Sequence, residues 1–137
     1  MKQDRIELLI SKANVRYMSN TKWKKLFLAS ESFGGVIDGV VWKIVGSEST
    51  FINDLNVSDL LENNTHFGDC LPSPYLELKS IESIFIPKSY NCRESGMRES
   101  IQKDNDLNGF KAHLASYGNF PIFESADGLE IRGYDWY

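Results

Sequence analysis

Four side chains of this 137-residue chain are capable zinc ligands: His66, Cys70, Cys92 and His113. Zinc takes four nitrogen or sulfur donors in a tetrahedron, and structural sites usually bring them as two close pairs. Here His66 and Cys70 alone stand at short spacing. The pattern therefore reads as small buried or loop thiols and a helix histidine, and no metal or other cofactor is expected. Cys92 also lies in Tyr90-Asn91-Cys92-Arg93-Glu94, where Arg93 would lower a thiol pKa. A cysteine nucleophile needs a base in reach and a group that orients that base, and the sequence identifies neither. Asp38, Glu77 and Glu82 raise the question of paired carboxylates, which cleave glycosides when set about 5–10 Å apart. Acids on an antiparallel sheet more commonly occupy its solvated face. No nucleophile elbow, metalloprotease helix or phosphate-binding glycine loop is present, so no residue is assigned as catalytic.

The aromatic residues point elsewhere. The chain carries 8 Phe, 6 Tyr and 3 Trp, and it finishes Tyr134-Asp135-Trp136-Tyr137. Tyr and Trp beside acids are typical of protein-recognition surfaces. The opposing reading is strand alternation, which turns Tyr134 and Trp136 inward and Asp135 and Tyr137 outward. Trp42 lies in an apolar run whose orientation is open. Asp38, Trp42, Glu82, Asp135, Trp136 and Tyr137 make up the expected partner-binding set.

The elements that would position these residues emerge from periodicity. Ile6, Leu9, Ile10, Ala13 and Tyr17 mark a helical stripe over residues 3–17. Ser19-Asn20-Thr21 should cap a second helix over 22–32, with Trp23, Leu26 and Phe27 inside and Gly34-Gly35 as the stop. Residues 36–45 are β-branched and aromatic and read as a strand, with Gly39 marking a bulge or turn. Thr50-Phe51-Ile52 is a short strand, and residues 57–62 a helical turn. Residues 63–74 are a loop, and 75–78 a strand or the approach to one. Over 80–87, Ile81, Ser83 and Phe85 fall on one face and Glu82, Ile84 and Ile86 on the other. Residues 88–106 read as a surface loop or insertion, with a helical turn near Met97–Ile101. Leu107, Phe110, Leu114 and Tyr117 predict a helix, and Asp127-Gly128 a closing hairpin. Strands do not alternate regularly with helices, which disfavours a parallel sheet. The expected fold is α+β: an antiparallel sheet with two N-terminal helices and one later helix packed mainly on one face, all in a single domain of residues 1–137.

Composition bounds the function. With 15 Lys+Arg against 19 Asp+Glu, the chain carries a net charge of −4, is 42% hydrophobic, and is long enough to bury a core without staples. The charge is uneven. Residues 1–25 hold seven bases and two acids, a balance of +5, so the remainder carries −9. The acidic balance disfavours nucleic acid as a partner. No apolar run approaches a membrane span or a signal sequence, which predicts a cytoplasmic protein with Cys70 and Cys92 reduced.

The segment Ser19-Asn20-Thr21-Lys22-Trp23-Lys24-Lys25-Leu26-Phe27 resembles the opening of a family of small uncharacterised bacterial proteins with no assigned activity. Residues 81–87, Ile-Glu-Ser-Ile-Phe-Ile-Pro, and 128–134, Gly-Leu-Glu-Ile-Arg-Gly-Tyr, are similar to that family too. The resemblance spans most of the chain and implies no functional residue. In size, acidity and α+β pattern the chain is also similar, at the level of class, to bacterial immunity proteins, which neutralise toxins; that likeness implies a toxin as partner. The expected function is a non-enzymatic, cytoplasmic protein-binding module, in its most specific form an immunity-type inhibitor. The alternative is a small enzyme or ligand-binding domain with its site in residues 63–74 or 88–106.

Overall fold

The computed structural model describes residues 2–34, 37–55, 57, 61–62, 66–67, 76–92, 99 and 101–136; for 2–4, 61, 62, 66, 67 and 92 the description is of the backbone. Among the described residues three helices, α1 (Lys2–Ser11), α2 (Asn20–Ser32) and α3 (Leu107–Ala115), accompany eleven short strands. These are β1 (Val15–Arg16), β2 (Val41–Ile44), β3 (Thr50–Ile52), β4 (Leu61–Glu62), β5 (His66–Phe67), β6 (Ile81–Pro87), β7 (Ser89–Cys92), β8 (Ile101–Asp104), β9 (Ile122–Ser125), β10 (Gly128–Arg132) and β11 (Tyr134–Asp135). The main sheet runs β3-β2-β6-β10-β9, antiparallel throughout. This is the α+β architecture that the sequence pattern predicts.

Helix α2 forms as expected. The Ser19 hydroxyl accepts from the Lys22 amide at 3.2 Å and satisfies one of the free donors of the first turn. Trp23, Leu26, Phe27 and Ala29 are all buried. Asp106 caps α3 in the same way, accepting from the Gly109 amide at 3.0 Å, and Phe110 and Leu114 are buried. Both helices share one core with Trp42, Ile84, Ile86, Leu129 and Ile131 of the sheet. An aromatic ladder crosses the two layers. Trp23 stacks on Phe27 (6.0 Å between centroids), Phe27 on Trp42 (5.5 Å) and Trp42 on Phe51 (5.7 Å). Such offset ring pairs add to the area they bury.

Several boundaries move. The first helix ends at Ser11 rather than near residue 17, because the chain end captures residues 15–17 as a strand partner. Val15 pairs with Asp135 and Arg16 with Tyr134, and the Tyr17 amide donates to the Gly133 carbonyl at 2.8 Å. Residues 88–106 are not simply a loop. Ser89–Cys92 and Ile101–Asp104 form a two-stranded antiparallel ladder, with Ile101 in a strand and not a helical turn. Leu61–Glu62 pairs with His66–Phe67, where the sequence pattern predicts a helical turn and a loop. Leu78–Ser80 is a single 3-10 turn rather than part of a strand.

The strand β6 carries the most consequential difference. Lys43 faces Ser83, yet Ile44 faces Ile81, so Glu82 is an extra residue opposite the step between them. A bulge of this kind reverses the alternation on one side of it. Ile81 is thereby buried with Ile84 and Ile86, and Glu82 joins Ser83 toward the other face. Strict alternation would instead put Ile81 with Phe85 and Glu82 with Ile84.

Candidate functional site

The face of the sheet opposite α2 and α3 is built by register. Ile52 of β3 stands beside Val41 of β2, Val41 beside Phe85 of β6, Phe85 beside Glu130 of β10, and Glu130 beside Phe123 of β9. One strand step away runs a second row: Thr50, Lys43, Ser83 and Arg132. Residues two apart on a strand share a face, so both rows look the same way, away from Trp42 and Ile84. Ile52 is 70% exposed, and Val41, Phe85 and Phe123 are half-buried.

Charges border the apolar row in local pairs. Lys43 Nζ lies 2.9 Å from Glu82 Oε2, and Arg132 pairs with Glu130. The Arg132 guanidinium sits 4.0 Å over the Phe123 ring, and Tyr17 packs on the same ring at 5.8 Å. The Tyr17 hydroxyl donates to Asp135 Oδ2 at 3.2 Å. Desolvation, then the Asp135 charge and this hydrogen bond, raise the Tyr17 pKa; Arg132 opposes them. The pairing with Glu130 holds the Arg132 pKa up. The acids on this face are thus matched by bases beside them. The −9 carried by residues 26–137 therefore does not make this face acidic at Glu82 and Glu130.

The expected partner-binding residues do not come together as one patch. Trp42 has no exposed surface, and its indole N–H donates to the Asn53 carbonyl at 3.0 Å. It belongs to the core, because the register opposite Ile84 and Phe51 turns it toward Phe27. Asp38 precedes β2 and lies outside any helix or strand. Its amide donates to Asn105 Oδ1 at 2.9 Å, and its carboxylate accepts from the Gly39 amide at 3.2 Å. Gly39 has φ +69°, and a Cβ there would stand 2.7 Å from that of Tyr90. Asp38 is tied to the Pro87 end of β6 through Asn105, whereas Glu82 is five residues back along that strand, about 16 Å by strand rise. Asp135 and Trp136 lie near the Glu82 end. Trp136 is half-buried against Tyr134, ring centroids 5.4 Å apart, and Tyr137 lies outside the described residues.

Of the four residues with zinc-ligand chemistry, only His113 has a described side chain. His113 Nε2 lies 2.9 Å from the Ala29 carbonyl and 2.9 Å from Ser32 Oγ. A carbonyl can only accept, so Nε2 carries the hydrogen and ties α3 to α2. Cys70 and Arg93 lie outside the described residues, and of His66 and Cys92 the backbone alone is described. Among the described residues no group of three His, Cys, Asp or Glu side chains is placed to hold a metal ion. Glu77 and Glu82 are each ion-paired to a different lysine, Lys79 at 3.3 Å and Lys43 at 2.9 Å. Among the described residues no helix is long and apolar enough to cross a membrane.

Val41, Phe85 and Phe123 give no sign in the sequence of being site residues, because a partly buried apolar residue in a strand is ordinary. Their alignment across four strands depends on register. Comparison with family models, curated proteins and solved structures returned no match to this chain.

Proposed function

We propose that this chain is a non-enzymatic protein-binding module and that its partner docks on the face of the main sheet opposite α2 and α3. The observation that carries the reading is the row Ile52, Val41, Phe85 and Phe123, interrupted only by Glu130 and bordered by the Lys43–Glu82 and Arg132–Glu130 pairs. An apolar centre with a polar rim is the composition of specific protein interfaces. The rim charges are balanced, so the matching partner surface is an apolar ridge with charges of both signs. Its specificity would come from pairing with Lys43, Glu82 and Arg132 rather than from net charge. The likeness to immunity proteins makes a bacterial toxin the first partner to test, met in the cytoplasm.

A photo-reactive phenylalanine analogue placed at position 52 tests the reading, with position 25 on the exposed side of α2 as control. In the native host, position 52 is expected to cross-link one protein that excess unlabelled chain displaces, and position 25 is not. The variant Ile52→Glu should lose that partner, and deletion of the gene should sensitise the host to it if the partner is a toxin. Equal labelling from both positions, or a partner retained by Ile52→Glu, would overturn the assignment of this face.

A further inference from the structure

A second surface, independent of the sheet face, has the features of a small-molecule site. On the face that carries Trp42, Ile44 and Phe51 run toward the turn joining β2 to β3, and α1 roofs them. A groove of about 480 Å³ remains between the two, within the roughly 300–1,000 Å³ of ordinary ligand sites. Ile6 and Leu9 form one wall, and Ile44, Val45 and Phe51 the other. Phe51 closes the aromatic ladder, so that second wall includes a ring backed by Trp42. Gly46 sets the roof height. It has φ +78°, and a Cβ there would stand 2.8 Å from Leu9 Cδ1, so glycine lets helix and turn approach.

Polar groups lie at one end. Ser47 Oγ is consumed by the turn, donating to the Ser49 carbonyl and accepting from the Ser49 amide, both at 3.2 Å. Arg5, which also lines the groove, is exposed and has no ion pair or hydrogen bond among the described residues. Apolar walls with one uncommitted guanidinium select a particular chemistry: an apolar body bearing a single carboxylate, which a guanidinium grips with two parallel hydrogen bonds. We infer that the groove between α1 and the β2–β3 turn binds a small amphiphilic carboxylate, with the chain against Phe51 and Leu9 and the carboxylate at Arg5.

Octanoate is the probe, with octan-1-ol and octylammonium as neutral and cationic comparators, each titrated by amide NMR of the full chain. Octanoate is expected to bind saturably, with the largest shifts at Gly46, Ser47, Ser49 and Thr50, and octylammonium to bind more weakly. Arg5→Gln should weaken octanoate about two- to fivefold, the scale of an exposed ion pair, and leave octan-1-ol unchanged. Ile6→Trp, which fills the groove, should weaken octanoate and octan-1-ol alike while the circular dichroism spectrum stays native. Absence of saturable octanoate binding overturns the inference. So does equal octanoate affinity in Arg5→Gln, or groove shifts that track protein concentration alone and so mark a second copy of the chain. Arg5 is exposed, so its replacement tests the charge without disturbing the fold. None of these outcomes bears on position 52 of the sheet face.

Discussion

The Tyr134 hydroxyl donates to the Lys79 carbonyl at 2.5 Å, and burial raises its pKa above the ordinary tyrosine value. The hydrogen bond from Lys79 to Glu7, reinforced by Glu77 and opposed by burial, raises the Lys79 pKa as well. Both shifts have the same sign for stability. The folded state holds these protons more tightly than the unfolded chain does. Their contribution is therefore whole below the unfolded values, about 10 for Tyr and 10.4 for Lys, and is lost as pH rises through the folded ones. Stability measured by urea melts should be flat from neutral pH to about pH 9 and fall above pH 10. Tyr134→Phe should cost about 1 kcal/mol at neutral pH and make the alkaline fall shallower. An unchanged alkaline slope in that variant would place the titration elsewhere. Strand alternation suggests an inward Tyr134 from the sequence. Its acceptor lies 55 residues away, and no spacing rule points to it.

At the scale of elements, Asn105 holds three segments together. Its Oδ1 accepts from the Asp38 amide at 2.9 Å, and its Nδ2 donates to the Asp38 carbonyl at 2.9 Å and to the Pro87 carbonyl at 2.8 Å. The side chain thus joins the approach to β2, the end of β6 and the entry to α3. It is buried, so removing it strands backbone groups without water. Asn105→Ala should cost about 2–3 kcal/mol by denaturant unfolding, more than a surface polar residue would. Hydrogen exchange should show the Asp38 amide losing protection first. A cost below about 0.5 kcal/mol would mean that water replaces the amide. The sequence pattern places Asn105 in a surface loop, because polar residues without periodicity carry no trace of a buried partner. The same limit hides the pairing of β1 with β11. Residues 13–17 complete a helical stripe on paper, but Tyr134 and Asp135 pair with Arg16 and Val15 in a ladder instead. Helices α2 and α3 are legible because cap, stripe and stop are all local.

For the whole molecule, the stacked aromatic rings make helix packing and sheet packing one event. Phe27 and Trp42 have no exposed surface and touch each other across the two layers. Phe27→Ala should cost about 3–5 kcal/mol, a large share of the roughly 5–15 kcal/mol by which domains are stable. Unfolding followed by tryptophan fluorescence and by far-UV circular dichroism should coincide in the wild type. Two separated transitions would show that the helical layer melts apart from the sheet. The charge distribution behaves differently from the core. Of the seven bases in residues 1–25, Arg5, Lys12, Arg16, Lys22 and Lys25 are exposed, and Arg16 lies in β1 rather than in a helix. The sheet acids Glu82 and Glu130 do not form an acidic patch, because they sit beside Lys43 and Arg132.

The sequence by itself determined the α+β class, the presence and place of α2 and α3, and the closing hairpin. Each of these rests on contacts or preferences within a few residues. Only the tertiary structure decided which side chains share a surface. A single extra residue at Glu82 moves Ile81 into the core and Glu82 out of it, and the register across β2 buries Trp42 rather than exposing it. A strand's side chains alternate with a period of two, so a step of one residue exchanges its faces. That step is set by a partner strand far away in the chain, and the pattern of either strand alone is silent about it.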